Sequence, residues 1–274
     1  MTTIMTLREQ VCLSVLLAAA GCKKDEATVA PDPTAAVGSS DEVAAPAPPV
    51  EQEPDPPELA SLREQYLRGE YRLVEQQAAP LARDWNQPTQ VRASSLAGSW
   101  HALAAVESMP DAAKPAVDEA LRKATELGDP AASQLALIAH GVYLMRIGEP
   151  AQAQADLDRA VELAALAQHT ELASLFRAES MLNQAYGPDE RLNDPKQLAA
   201  ARQAYHGIVG GAGQPMLKAR ALEGLAAISK ELGDKAELCR LTQEASAAYE
   251  ANAAAEFLRQ GPELLATDAG CNEK

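Results

Sequence analysis

The chain has 274 residues and a formal net charge of −15 at pH 7. About a fifth of the residues are alanine and only 4% are aromatic, a composition typical of closely packed helices and unfavourable for a β-sandwich or barrel. The acidic balance argues against nucleic acid as a partner, because phosphate binding needs a clustered positive surface. It also argues against attachment to an anionic membrane through a basic face.

Residues 1–21 have the organisation of an export signal. The uncharged apolar stretch Val11–Ala20 is too short to cross a bilayer, which takes about twenty helical residues. Directly after it, Leu17-Ala18-Ala19-Ala20-Gly21-Cys22 resembles the lipobox of bacterial lipoproteins, although Ala19 replaces the usual Leu. The resemblance implies that Cys22 carries lipid and begins the mature chain. The alternatives are an ordinary cleaved signal with an incidental cysteine, or a buried N-terminal helix.

The same resemblance predicts the location of the protein. A lipidated Cys22 would attach the chain to a membrane of the bacterial cell envelope, because several acyl chains make attachment effectively permanent. Lys23, rather than Asp, follows the cysteine. In the sorting rule of such lipoproteins this permits export to the outer membrane, where we expect the protein to face the periplasm.

Residues 22–57 read as the lipidated cysteine followed by a disordered tether. The segment 23–57 contains eight of the 18 prolines and eight acidic residues, and it has no Leu, Ile or aromatic residue to bury. Such a composition cannot offset the entropy of ordering. We therefore expect a spacer between the membrane and a folded domain. The alternative is a proline-rich docking motif.

Residues 58–260 show helical periodicity, broken by Gly, Pro and Asp into five helix pairs, and residues 261–274 read as a C-terminal tail. The pairs begin at Glu58, Pro88, Pro130, Thr170 and Pro215. Their internal breaks lie at Gly69-Glu70-Tyr71, Met109-Pro110-Asp111, Gly148-Glu149-Pro150, Tyr186–Pro195 and Gly233-Asp234. Helix pairs in series predict an all-α solenoid, in which each pair buries its apolar face on its neighbours. The alternative is a helical bundle without superhelical order.

The third pair resembles a tetratricopeptide repeat. In residues 136–164, Gly141 lies at the position of close helix approach, and Gly148 lies at the turn. The second helix carries the small–large–small series Ala153, Leu157, Ala160. The other four pairs match less well. The resemblance implies a right-handed solenoid of about five helical hairpins that binds other proteins.

Nothing in the sequence indicates catalysis, a metal site or a cofactor. The four histidines are far apart, and neither an HExxH motif nor a phosphate-binding glycine loop occurs. The glycine-rich run Gly210–Gly213 follows a helix rather than a strand, so it reads as a loop between pairs. We therefore expect a protein that is not an enzyme, with no metal and no cofactor.

Two cysteines remain once Cys12 leaves with the signal and Cys22 takes lipid. In an oxidising compartment Cys239 and Cys271 can form a disulfide that closes a loop of 32 residues. Such a bridge would hold the C-terminal tail against the last pair. The alternative is a buried Cys239 and a free Cys271.

The resemblance also indicates a binding groove, because the first helix of each repeat lines the concave surface in this family. In the third pair the corresponding positions are Leu135, Ile138, Val142, Met145 and Arg146. A mainly apolar groove suits an amphipathic helix or an extended apolar segment. The alternative is that this stripe packs on a neighbouring helix.

Together these features predict a lipid-anchored envelope scaffold that binds a partner protein or peptide segment through a helical-repeat groove. The alternative function is a periplasmic carrier or receptor for a small apolar ligand or peptide. A scaffold would co-purify with one protein, whereas a carrier would retain a small molecule.

Overall fold

The computed structural model describes residues 57–83, 90–187 and 191–271. The predicted signal peptide, Cys22 and residues 23–56 of the tether lie outside these ranges. The prediction of an all-α fold is confirmed. The described residues form eleven helices and no strand, with one isolated antiparallel bridge between Tyr186 and Leu192.

The helices, numbered in chain order, are α1 Pro57–Leu67, α2 Tyr71–Arg83, α3 Val91–Ser108, α4 Pro110–Leu127, α5 Pro130–Arg146, α6 Pro150–Leu163, α7 Ala167–Ala185, α8 Pro195–Gly211, α9 Pro215–Glu231, α10 Lys235–Ala251 and α11 Glu256–Asp268. The breaks expected from the sequence fall between α1 and α2, α3 and α4, α5 and α6, α7 and α8, and α9 and α10.

Asp and Pro residues begin many of these helices. The side chains of Asp129, Asp194 and Asp234 accept hydrogen bonds from backbone N–H groups in the first turns of α5, α8 and α10. Proline lies in the first turn of α4, α5, α6, α8 and α9, where its missing N–H costs no hydrogen bond. These local signals explain why the helix starts could be predicted from the sequence.

The helices pack in a repeated order. Each odd-numbered helix from α1 to α9 contacts the even-numbered helix that follows it, and that even helix contacts the next odd helix. In addition, α1 contacts α3, α3 contacts α5, α5 contacts α7, α7 contacts α9 and α9 contacts α11. The odd-numbered helices therefore form one continuous layer.

The third pair lies in the middle of this arrangement. Helix α5 contacts α3, α4, α6 and α7, and buried residues occur all around it. A Cβ placed on Gly141 would lie 2.8 Å from Cγ of Leu157 in α6, so the absence of a side chain permits the close approach of these two helices. Ala153, Leu157 and Ala160 are fully buried at the same contact.

Residues 256–268 form α11, although the sequence suggested only the end of the fifth pair and a C-terminal tail. Gly261 and Pro262, two residues of low helix propensity, are both buried inside this helix. Helix α11 packs on α9 and α10.

None of the helices in the described part of the chain combines the length and the apolarity that crossing a membrane requires.

Candidate functional site

The stripe predicted to line a groove does not lie on an open surface. Leu135, Ile138 and Val142 are fully buried, and Met145 is 3% exposed. These side chains are buried because four helices surround α5. These four side chains therefore pack in the core, as the alternative interpretation of the stripe has it.

The fifth predicted groove residue, Arg146, belongs to a cluster of charged side chains between the odd-numbered helices. Its Nη2 and Nε donate hydrogen bonds to Oε2 of Glu107 on α3, at 2.8 and 3.2 Å. The hydroxyl of Tyr66 on α1 donates to the other oxygen of Glu107, at 3.3 Å. The Glu107 side chain is 7% exposed, so this ion pair is largely shielded from water.

A second ion pair continues the cluster. Nη2 of Arg220 on α9 lies 2.8 Å from Oε1 of Glu179 on α7, and its guanidinium lies 5.0 Å from the centre of the Phe176 ring. Four successive odd-numbered helices thus contribute one charged residue each. We call these residues the central network, and they are Glu107, Arg146, Glu179 and Arg220.

The surroundings of two carboxyl groups, one in the central network and one beside it, shift their pKa values in opposite directions. Burial by itself would raise the pKa of Glu107, but Arg146 and Arg220, together with hydrogen bonds from Arg146 and Tyr66, lower it below the usual value. Glu223 on α9 behaves differently. Its burial raises the pKa to about 7, and the hydrogen bond from Tyr249 only partly opposes this effect. One carboxyl is therefore held ionised, whereas the other titrates near neutral pH.

The first and last parts of the described chain meet beside this network. The backbone N–H of Ala255 donates a hydrogen bond of 2.8 Å to the carbonyl of Arg68, in the turn between α1 and α2. The rings of Phe257 and Tyr71 lie 5.7 Å apart. Gly69 has φ +83°, and a Cβ there would lie 2.8 Å from the Phe257 ring, so the turn requires glycine. We call this contact the seam.

A cleft of about 510 Å³ opens at the seam. It lies between the start of α2, the end of α3 and the start of α11, and Glu107 reaches it from the central network. Two of its lining side chains, Leu73 and Phe257, are 39% and 46% exposed. Met109, next to the lining residue Ser108, is 60% exposed. The cleft therefore offers two accessible large apolar side chains, Leu73 and Phe257, on its lining.

Cys239 and Cys271 form a disulfide with their Cα atoms 5.4 Å apart. The bond joins the first half of α10 to the residues that follow α11. Both cysteines are partly exposed. Cys22, the expected lipid attachment residue, lies outside the described residues.

The histidines do not come together. Nδ1 of His140 lies 2.6 Å from Oδ2 of Asp156, whereas His169 is buried with its ring 5.9 Å from that of Trp100. Among residues 57–83, 90–187 and 191–271, no group of three or more His, Cys, Asp or Glu side chains is arranged to hold a metal ion.

The central network and the cleft were both missed in the sequence. A signal for the network was present, since Glu107 and Arg146 are 39 residues apart and Glu179 and Arg220 are 41 apart. These separations are close to the length of one helix pair, so such residues fall at similar levels of consecutive odd-numbered helices.

Comparison with protein-family models, curated proteins and solved structures found no match to this chain.

Proposed function

We propose that this protein is a lipid-anchored scaffold of the bacterial envelope that binds a partner protein without catalysing a reaction. The repeated packing order of the helices is the observation that carries the proposal. An array in which each pair repeats the contacts of the one before is typical of tetratricopeptide-like solenoids, whose extended concave surfaces bind other proteins. In this proposal residues 58–260 form the solenoid.

The binding site that we propose is the cleft at the seam rather than the stripe on α5. A partner segment can reach Leu73 and Phe257 without unfolding the domain, whereas Leu135 and Ile138 are inaccessible. Exposed aromatic and aliphatic side chains around a recess are typical of sites that receive an apolar segment of a partner. The central network reaches this site through Glu107, which pairs with Arg146 and also lines the cleft.

The anchor and the tether complete the proposal. Cys22 would attach the chain to the outer membrane, and the segment up to residue 57 would hold the domain away from the bilayer. Replacing Cys22 with Ala should release the protein from the membrane fraction. Persistent membrane association of this variant would place the anchor elsewhere.

The decisive experiment uses a photo-crosslinking amino acid introduced into the full chain in cells. It would be placed at position 257 in the cleft, and separately at position 163, where Leu163 on α6 is 37% exposed but distant in sequence from the seam. We expect one dominant envelope protein to be crosslinked from position 257 and not from position 163. Equal capture at both positions, or capture of no protein at position 257, would contradict the proposal.

The second candidate function is a carrier of a small apolar ligand or peptide. The apolar lining of the cleft favours it, since the recess of about 510 Å³ exposes Leu73 and Phe257 to a ligand. Native mass spectrometry of protein purified from cells distinguishes the two functions. A retained small molecule that is lost in Phe257→Glu would support the carrier.

A further inference from the structure

We infer that the Cys239–Cys271 disulfide holds α11 in place as one wall of the cleft, so that reduction of this bond opens the seam. The inference concerns regulation of the binding site proposed above and rests on that proposal for its biological meaning. The structural step that it describes is independent of any partner.

The start of α11 forms one wall of the cleft. Ala255 and Phe257, at the start of this helix, line the cleft and make the contacts with Arg68, Gly69 and Tyr71 across the seam. If α11 moves away, the cleft loses one side. The closed seam therefore depends on whether α11 stays packed on α9 and α10.

The noncovalent packing of α11 is thin. Its buried residues are Gly261, Pro262 and Leu265, and Leu258 packs on the core while staying partly exposed. By comparison, nine residues of α9 are buried. The ion pair between Lys230 and Asp268 joins side chains about 40% exposed, and such pairs stabilise little. A helix held by so few contacts depends strongly on a covalent link.

A carboxylate also lies under this helix. A Cβ placed on Gly261 would be only 2.0 Å from Oε1 of Glu223, so the α11 backbone passes directly over this carboxyl group. Tyr249 donates one hydrogen bond to the other oxygen of Glu223, at 2.7 Å. Covering this carboxyl group removes it from water, which opposes docking of the helix above it even though Tyr249 and the nearby Arg220 favour its charged form.

The disulfide compensates for this weak packing. It ties α10 to Cys271 and thereby closes the loop that contains all of α11. Closing a loop of 32 residues reduces the freedom of the undocked state, which favours the docked helix by about 100-fold or more. Cys239 and Cys271 are both only partly buried, so attack by a reductant does not require unfolding of the core.

The chemical step is thiol–disulfide exchange with a dithiol reductant. One thiolate of the dithiol attacks Sγ of Cys271, and Cys239 leaves as a thiolate that takes up a proton. The second thiol of the dithiol then resolves the mixed disulfide and releases Cys271 as a thiol. Two electrons pass to the protein, its two cysteines are reduced, and the dithiol is oxidised to a disulfide.

Hydrogen–deuterium exchange of the full chain tests this inference. We compare oxidised protein, protein treated with dithiothreitol, and the double variant Cys239→Ser/Cys271→Ser. In the last two, amides of α11 and the N–H of Ala255 should exchange about 100-fold faster, while the amides of α5 stay unchanged. The double variant should not respond to dithiothreitol, which controls for other effects of the reagent.

Three results would overturn the inference. One is unchanged exchange at Ala255 and α11 after reduction. Another is acceleration confined to residues 265–271, which would mean that only the helix end frays. The third is equal acceleration in α5 and α11, which would mean that the bond stabilises the whole fold. None of these measurements needs a partner, so they succeed or fail separately from crosslinking at position 257.

Discussion

The α5–α6 pair and the terminal helices α10 and α11 have similar lengths but are held by different means. Four helices surround α5, and its contact with α6 is made of fully buried small and aliphatic side chains. Helix α11 packs on α9 and α10 alone among the helices, apart from the contact of its start with the α1–α2 turn, and a disulfide joins the residues after it to α10. In an array where each unit stabilises the next, an internal pair is held by apolar burial on both sides, whereas a terminal element needs additional links.

The largest difference between the two regions should come from a charge placed in α5. Leu135→Glu buries a carboxylate among four helices, and we expect it to lower the free energy of unfolding by about 4 kcal/mol or more. The matched control is Leu232→Glu in the turn between α9 and α10, where the side chain is 52% exposed and a change of at most about 0.5 kcal/mol is expected. Urea denaturation measures both. A small loss of stability in Leu135→Glu would instead support the interpretation that the stripe on α5 lines a groove.

The next largest difference should lie in how much stability each region loses when one of its ion pairs is broken. Glu107→Ala leaves Arg146, whose side chain is 23% exposed, without its partner and should cost about 3 kcal/mol. Asp268→Ala breaks the exposed pair with Lys230 and should cost at most about 0.5 kcal/mol. Thermal denaturation of the two variants would show whether the central network carries stability. Equal costs would mean that Glu107 is better solvated than its position indicates.

The comparison also shows what the sequence could predict. The helix starts at Asp129, Asp194 and Asp234 follow from local capping, and local signals are visible in the sequence. The all-α fold follows from composition and periodicity. The C-terminal helix was not predicted, because Gly261 and Pro262 have low helix propensity and tertiary packing nevertheless keeps that segment helical.

The site was harder to predict, since it depends on contacts between distant parts of the chain. The groove positions on α5 assume that the first helix of a repeat faces open space. Here neighbouring helices cover Leu135 and Val142. The cleft arises where Ala255 meets Arg68, and no local pattern encodes a contact over such a separation. The predicted groove residue Arg146 forms an ion pair with Glu107, which itself lines the cleft.

Close packing of helices provides a further test of the central pair. Gly141→Ala adds a methyl group 2.8 Å from Leu157 and should cost about 2 kcal/mol. The matched control is Gly207→Ala in α8, where no atom lies within 4 Å of the added Cβ. That substitution should stabilise the helix by about 0.5–1 kcal/mol, because alanine favours helix. If both variants were stabilised, α5 and α6 would be packed less tightly than described.

The smallest expected effect lies under α11 and depends on pH. The folded-state pKa of Glu223 is raised to about 7, so folding favours its protonated form. The cost of its charge therefore accumulates as pH rises from the pKa of the unfolded chain, about 4.3, to about 7, and is complete above that. Glu223→Gln removes the charge and should stabilise the protein by about 1–2 kcal/mol at pH 8, with little effect at pH 4.

The control for this pH dependence is a carboxyl group of opposite behaviour in the same terminal region. Hydrogen bonds from Arg240 lower the pKa of Glu237, so its contribution to stability is present at neutral pH and is lost as pH falls through the folded-state pKa. Glu237→Gln should therefore give no gain at pH 8. Urea midpoints measured at pH 4, 6 and 8 separate the two variants. A gain from Glu223→Gln that is the same at all three pH values would show that the amide packs better under α11, and that the charge of Glu223 does not limit docking of this helix.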